Sequence, residues 1–310
     1  MTRVPTTRFV LAAVIAGTLV LAACGDDTEE STTEETEETE ATEPAAETPA
    51  DTTAAAAADP AACAAGNTIT DGVLTVATGE PAFPPYVIND ATPEDGQGLE
   101  AAVAMAVAKE LGFEGAAVTW VRTPFETVIA PGPKDFDFNL QQYTITAERA
   151  EVVDFSDGYY SAAQAVFGLA DSSAAAATSV NELKDLNIGV AAGTTSIAYV
   201  EDVIQPTNTV QVFNDNAAAK VALESNQIDA IVSDLPTALY VTAVEIEGTK
   251  VFGQIEGSGT DEFGLLLAKD SPLTECVNLA LANLEASGEL AGITTTWMSE
   301  YTEAPLISAS

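Results

Sequence analysis

Residues 187–240 read NIGVAAGTTSIAYVEDVIQPTNTVQVFNDNAAAKVALESNQIDAIVSDLPTALY, and their periodicity decides the fold class. Three short apolar runs, Asn187–Val190, Val210–Phe213 and Ala230–Ser233, are too brief for helices and suit strands. Helical patterns separate them, one from Ser196, one over Ala217–Glu224 and one after Leu235. This alternation is α/β grammar and implies mostly parallel sheets flanked by helices.

The same grammar extends outward. Upstream, Val73–Ala77, Val118–Val121 and Phe136–Leu140 read as strands. Leu99–Leu111 reads as a helix, with Leu99, Val103, Val107 and Leu111 about one turn apart and Gly112 stopping it. Phe125–Ala130 is a short helix ahead of Pro131-Gly132-Pro133. Downstream, Glu262–Leu267 is strand-like; Ser271 reads as an N-cap with Pro272 at the first helical position. Leu273, Cys276, Val277, Ala280, Leu281 and Leu284 then share one apolar face, whose partner the pattern does not name.

Composition excludes several chemistries. The 310 residues carry 48 acids, 10 bases and no histidine, for a net charge of −38. Such a surface repels phosphate backbones, so no nucleic-acid partner is expected. Without histidine there is no Ser-His-Asp triad, no Cys-His pair and no imidazole metal ligand. Asp135-x-Asp137-x-Asn139 imitates a calcium loop, but Leu140 stands where glycine is required and Thr146 where glutamate closes the loop. Alternation instead puts these three on one solvated strand face. Gly257-Ser258-Gly259 lacks the rest of a nucleotide fingerprint. No metal and no cofactor is expected.

The charge divides the chain. Residues 1–23 hold Arg3, Arg8 and a short apolar run, Phe9–Ala23, and read as an export signal rather than a span. Leu21-Ala22-Ala23-Cys24 resembles the lipobox of bacterial lipoproteins, which makes Cys24 a lipidated anchor. Residues 24–66 are Thr, Glu, Ala and Pro, with 13 acids between 25 and 60, and read as an extended, disordered tether. The folded part begins near Thr68.

Five runs in that part are recognisable together: LTVATGEPAFPPY (74–86), YTITAERAEVVDFSDGYY (143–160), IGVAAGTT (188–195), IDAIVSDLPTAL (228–239) and FGLLLAKDSPLT (263–274). In this order they resemble the family 3 solute-binding proteins of polar amino acid ABC transporters. The resemblance implies a type II periplasmic-binding-protein-like clamp. Lobe 1 would be 67–167 with the returning segment 263–305, and lobe 2 would be 168–262. Crossover strands near Ala165–Leu169 and Phe263–Leu267 would form the hinge, and the ligand would lie between the lobes.

The resemblance also implies a site, and elementary chemistry agrees. Arg149, three residues into a helix opened by Thr146, occupies the carboxylate-binding position. Thr144 adds a donor. Thr194 and Thr195, after Gly193 in a strand-to-helix turn, complete the carboxylate cage with N–H groups. Asp234 matches the acceptor of the α-ammonium, although an aspartate there also caps helices. Phe83 and Phe125 match the walls around the ligand side chain. Tyr86 and Tyr143 fit either pocket or core. Gln141 and Gln142 depart from the small residues usual before Thr144, and Gln142 is expected to meet the ligand side chain. Glu80, where aspartate is more usual, is expected at the pocket mouth, favouring a cationic side chain.

Once Cys24 is lipidated, Cys63 and Cys276 are the remaining thiols, and export places them in an oxidising space. The resemblance puts the helix of Cys276 in lobe 1, close to where Cys63 precedes the first strand, so a disulfide is expected. The function implied is capture of a polar amino acid for an ABC permease by a monomer held to the membrane only through its lipid. No catalytic residue is expected. The alternatives are an enzyme on the same scaffold, of the cyclohexadienyl or arogenate dehydratase kind with Glu80 as acid, or a ligand-sensing lipoprotein.

Overall fold

The computed structural model describes residues 59–256 and 261–309. The export signal, Cys24, the tether up to residue 58 and the Gly257-Ser258-Gly259 loop lie outside these residues. Within the stretch assigned to the tether, Pro60–Ala64 is a helix, α1. Asp59 caps it by accepting from Ala61 N at 3.0 Å, and Pro60 opens it. Cys63 then forms a disulfide with Cys276, 213 residues away. Composition missed this helix because its anchors are one cap and one covalent bond rather than apolar bulk.

The first sheet grows from β1 (Leu74–Gly79), which is buried throughout. After it come α2 (Leu99–Glu110), β2 (Val118–Thr123), α3 (Phe125–Ile129), β3 (Phe138–Asn139), α4 (Ala147–Ala150) and β4 (Val153–Ala162). The chain then builds a second sheet with β5 (Gln164–Leu169), β6 (Ile188–Ala191), α5 (Ser196–Ala198, continued as π-helical turns to Ile204) and β7 (Gln211–Phe213). It continues through α6 (Asn216–Glu224), β8 (Ala230–Asp234), α7 (Leu235–Tyr240, again followed by π-helical turns to Glu245) and β9 (Thr249–Ile255). β10 (Asp261–Ala268), α8 (Thr274–Ser287) and α9 (Glu289–Met298) return to the first sheet, and β11 (Leu306–Ile307) ends in the second.

The strand orders are β2-β1-β3-β10-β4 and β11-β9-β5-β8-β6-β7. Both sheets are mixed. Parallel pairing holds for β1 with β2 and β3, for β6 with β7 and β8, and for β9 with β11. Every antiparallel pairing involves β5 or β10, the strands that carry the chain between lobes. A crossing strand leaves one sheet at the cleft and enters the other from that side, so it runs against the strands that end there.

The crossovers fall earlier than expected. β5 already pairs with β8 from Gln164, and β10 pairs with β4 from Asp261, so the boundaries at 167/168 and 262/263 lie inside strands. The tail after residue 305 crosses once more, where Leu306 and Ile307 pair with β9.

The core of the first sheet takes α2 and α8 on one face. Leu99, Val103 and Val107 are fully buried, as are Cys276, Val277 and Ala280 opposite them in the same cluster. Each such Val or Leu stabilises by about 1.5–3 kcal/mol. The partner of the α8 face is therefore lobe 1. Helix α8 starts at Thr274 rather than Pro272; Ser271 Oγ accepts from Leu273 N in the turn before it. Asp137 and Asn139, expected on a solvated face, are buried: the Asp137 carboxylate accepts from Ile69 N and Thr75 N, and the Asn139 amide donates to Thr123 Oγ1. Asp137 thereby ties the segment before β1 to the sheet.

Candidate functional site

A cleft between the two sheets holds about 630 Å³ of non-atom space, part of it open to solvent. Its walls follow one rule: they sit just past the C-terminal ends of parallel strands. Phe83 follows β1, Phe125 follows β2, and Gln141, Gln142 and Thr144 follow β3. From the second sheet, Thr194 and Thr195 follow β6, Asn214 to Asn216 follow β7, and Asp234 ends β8.

Arg149 is held rather than free. Thr146 caps α4 by accepting from Arg149 N at 3.2 Å, which fixes the helical turn carrying the guanidinium. That group donates to the carbonyls of Thr144 and, across the cleft, Gly193, each at 2.8 Å. It also lies 5.6 Å from the centre of the Phe125 ring, which itself stacks on buried Tyr143 at 4.7 Å. Arg149 is 9% exposed, and burial lowers its pKa somewhat against the pull of Asp261, Tyr143 and Asp234. Glycine is favoured at 193: its φ is +73°, and a Cβ would lie a tight 3.1 Å from Glu126 Cγ and 3.2 Å from Ile129 Cδ1 of lobe 1.

Asp234 stands at the N-cap position of α7 but makes no capping bond. Its Oδ1 instead accepts from Gln164 Nε2 at 2.8 Å. The same nitrogen donates to Asp261 Oδ2, also at 2.8 Å, and Thr195 Oγ1 donates to that oxygen at 2.7 Å. Burial first, and the Asp261 charge second, push the Asp234 carboxyl up to about 8. Thr194 uses its hydroxyl on the Ala191 carbonyl, so what this turn offers a ligand is backbone N–H.

Behind Gln142 lies Glu100, 1% exposed. Its Oε1 accepts from Gln142 N and the Tyr159 hydroxyl, and its Oε2 from Gln142 Nε2. Burial pushes it up to about 7, against the lowering effect of these donors. The grip holds Gln142 at φ +51°, a left-handed conformation rare for this residue type. Gln142 therefore lines the cleft with its amide nitrogen already engaged.

Of the residues singled out from the sequence, Phe83, Phe125, Gln142, Thr144, Arg149, Thr194, Thr195 and Asp234 all line one cleft. Glu80 does not. It is exposed, and Asp90 governs its loop by accepting from Ala82 N and pairing with Arg122 at 3.0 Å. Tyr86 and Tyr143 are fully buried core. The reading missed Glu100, Gln164, Asp261 and the Asn214-Asp215-Asn216 turn. The turn carried a signal: Asp215 before an alanine run is an N-cap, and its carboxylate accepts from Ala218 N at 2.7 Å. Lys220 of α6, also missed, lies 4.9 Å from the centre of the Phe83 ring and 2.5 Å from Glu245.

Fold and cleft together define a two-lobed solute clamp. The chain belongs to the bacterial extracellular solute-binding proteins, family 3, which it matches over residues 74–300. It is 29% identical over 207 residues to the arginine-binding extracellular protein ArtP of Bacillus subtilis (strain 168), covering 64% of this chain and 77% of that one. The solved structure of an ancestral arginine-binding protein bound to glutamine superposes with a TM-score of 0.63 at 32% identity, covering 74% of this chain and 98% of that chain. The ancestral amino acid-binding protein AncCDT-1, described as a precursor of cyclohexadienyl dehydratase, matches with a TM-score of 0.61 at 29% identity, covering 73% and 95%. No helix among the described residues is long and apolar enough to cross a membrane.

Proposed function

We propose that this protein captures a polar α-amino acid outside the cytoplasm and delivers it to the permease of an ABC importer. The observation carrying this reading is the opposition of Arg149, from lobe 1, and Asp234, from lobe 2, along one cleft. A zwitterion needs a cation for its carboxylate and an anion for its ammonium. Arg149, Thr144 and the N–H groups of Thr194 and Thr195 would take the carboxylate, Asp234 the ammonium, and Phe83 and Phe125 the aliphatic stem. Gln142, with its amide turned to Glu100, would shape the wall rather than donate to the side chain. The names of ArtP and of the glutamine-bound ancestral protein favour arginine-like or glutamine-like ligands.

The protein would work as a monomer anchored to the outer face of the membrane through Cys24, with the acidic stretch as tether and no other membrane contact. The enzyme reading relied on Glu80 as general acid, and with that side chain exposed and outside the cleft, binding is the better-supported activity. Calorimetry across the twenty common amino acids plus ornithine and citrulline tests the proposal. Saturable heat without product formation is expected; no heat with any of them, or turnover of one, would overturn it.

A further inference from the structure

Asp234, which lines the cleft, and Asp261, joined to it through Gln164, form no ion pair among the described residues. Asp234 ends β8, Asp261 opens β10 after the second crossover, and Gln164 opens β5 after the first. The Gln164 side chain is 1% exposed; its Oε1 accepts from Ser196 Oγ at 2.7 Å, which leaves its Nε2 to serve both acids. One amide nitrogen supplies two neutral hydrogen bonds and no charge. None of the ion pairs among the described residues includes either aspartate. Arg149, the charged neighbour in α4, spends its bonds on two carbonyls.

Two like charges sharing one buried donor do not both ionise readily. Of the other titratable groups acting on Asp234, the Arg149 charge in α4 favours its ionisation through space and Glu100 in α2 opposes it, while Tyr86, Tyr159 and Tyr160 are neutral; burial and the Asp261 charge outweigh Arg149. We propose that Asp261 is a positioning residue that makes the ammonium site of Asp234 proton-coupled: the pair holds one proton until a ligand's ammonium displaces it to solvent. The ligand keeps its own three ammonium hydrogens, and the proton that leaves is the carboxyl proton of Asp234. This rests on the amino acid reading above and adds a component to it. The raised carboxyl of Asp234 agrees with the geometry.

Two consequences follow for recognition. Affinity for an α-amino acid should rise about tenfold per pH unit from 6 toward 8 and then level, because only the ionised carboxylate accepts the ammonium. Asp261 should move that window to higher pH than burial alone would, without touching the ligand, since the residues lining the cleft include Asp234 but not Asp261.

The test is calorimetry of the full chain at pH 7 with L-arginine and with L-glutamine, in phosphate, HEPES and Tris. Their ionisation enthalpies differ, so the slope of heat against them counts protons. Release of roughly one proton per ligand is expected from the wild type, from a carboxyl that is mostly protonated at this pH. Asp261→Asn keeps hydrogen-bonding atoms in place but removes the like charge; it should still bind and should release markedly less. Binding by the wild type with no buffer-dependent heat overturns the inference, whether or not the variant folds. So does a variant with the wild-type proton count. Failure of all twenty amino acids to bind is a different result, and it overturns the amino acid reading along with this one.

Discussion

Lobe 1 and lobe 2 furnish the same cleft with different materials. Lobe 1 supplies the cation, Arg149, and both aromatic walls, on a sheet fastened by the Cys63–Cys276 disulfide and a large apolar cluster. Lobe 2 supplies an aspartate, threonines and a polar Asn-Asp-Asn turn, and both π-helical segments among the described residues belong to it. Its helices give up some hydrogen-bond regularity right behind the cleft. The comparison teaches that the opposite charges lining the cleft reside on opposite lobes. On the proposed reading, neither lobe alone would pair both ends of a zwitterion, so tight binding would require that they come together.

The sharpest way to break this comparison is to remove one charge from each side. Arg149→Ala and Asp234→Ala should each weaken amino acid binding by about 2–5 kcal/mol in calorimetry, with folding retained. A large loss in only one of the two would mean that one lobe carries recognition alone.

Next comes the covalent asymmetry. Cys276→Ser should lower stability to urea by about 2–4 kcal/mol, since the bond, made within lobe 1, closes a loop of more than two hundred residues that takes in lobe 2. Affinity should stay within about threefold, because the bond lies in the lobe 1 core, away from the cleft walls.

The two raised carboxyls, Glu100 near 7 in lobe 1 and Asp234 near 8 in lobe 2, sharpen the contrast through pH. In the unfolded chain both titrate near the ordinary value of about 4. Folding therefore favours their protonated forms. Their contribution to stability is full below pH 4 and is lost as pH rises through 7 and 8. Urea midpoints of the ligand-free protein should decline over that window. Glu100→Gln should flatten the decline up to about pH 7, and Asp234→Asn should flatten it up to about pH 8; a wild-type profile in either variant would contradict the assignment.

The smallest effect expected is at the rim. Lys220→Met removes the cation lying over Phe83, a contact between the two lobes, and should weaken binding by about 0.5–1 kcal/mol. Glu80→Gln should leave affinity within about twofold, since an exposed carboxylate outside the cleft is screened by water.

Much of the cleft was legible because its residues are local signals. Thr146 with Arg149 is a cap and a helical turn; Gly193-Thr194-Thr195 is a strand-to-helix turn; Asp234 ends an apolar run. Each needs only its neighbours in sequence to be placed at a strand end. Asp137 and Glu80 went the other way. Both are acids near strand ends, yet one is buried by two backbone N–H groups and the other is left in water because Asp90 took the loop's donor. Which acid finds the partner is not a local property.

By itself the sequence determined the α/β alternation, which follows from periodicity over a few residues at a time; the resemblance to family 3 implied the opposition of Arg149 and Asp234 and the pairing of Cys63 with Cys276. Only the tertiary structure decided where the chain crosses between lobes, that its tail crosses again at β11, and that Gln164 draws Asp234 and Asp261 together from positions 70 and 97 residues away. Only it decided that Glu100 seizes Gln142. Such choices depend on which polar groups remain unpaired once the apolar cores have closed, and burial then makes each remaining pairing obligatory.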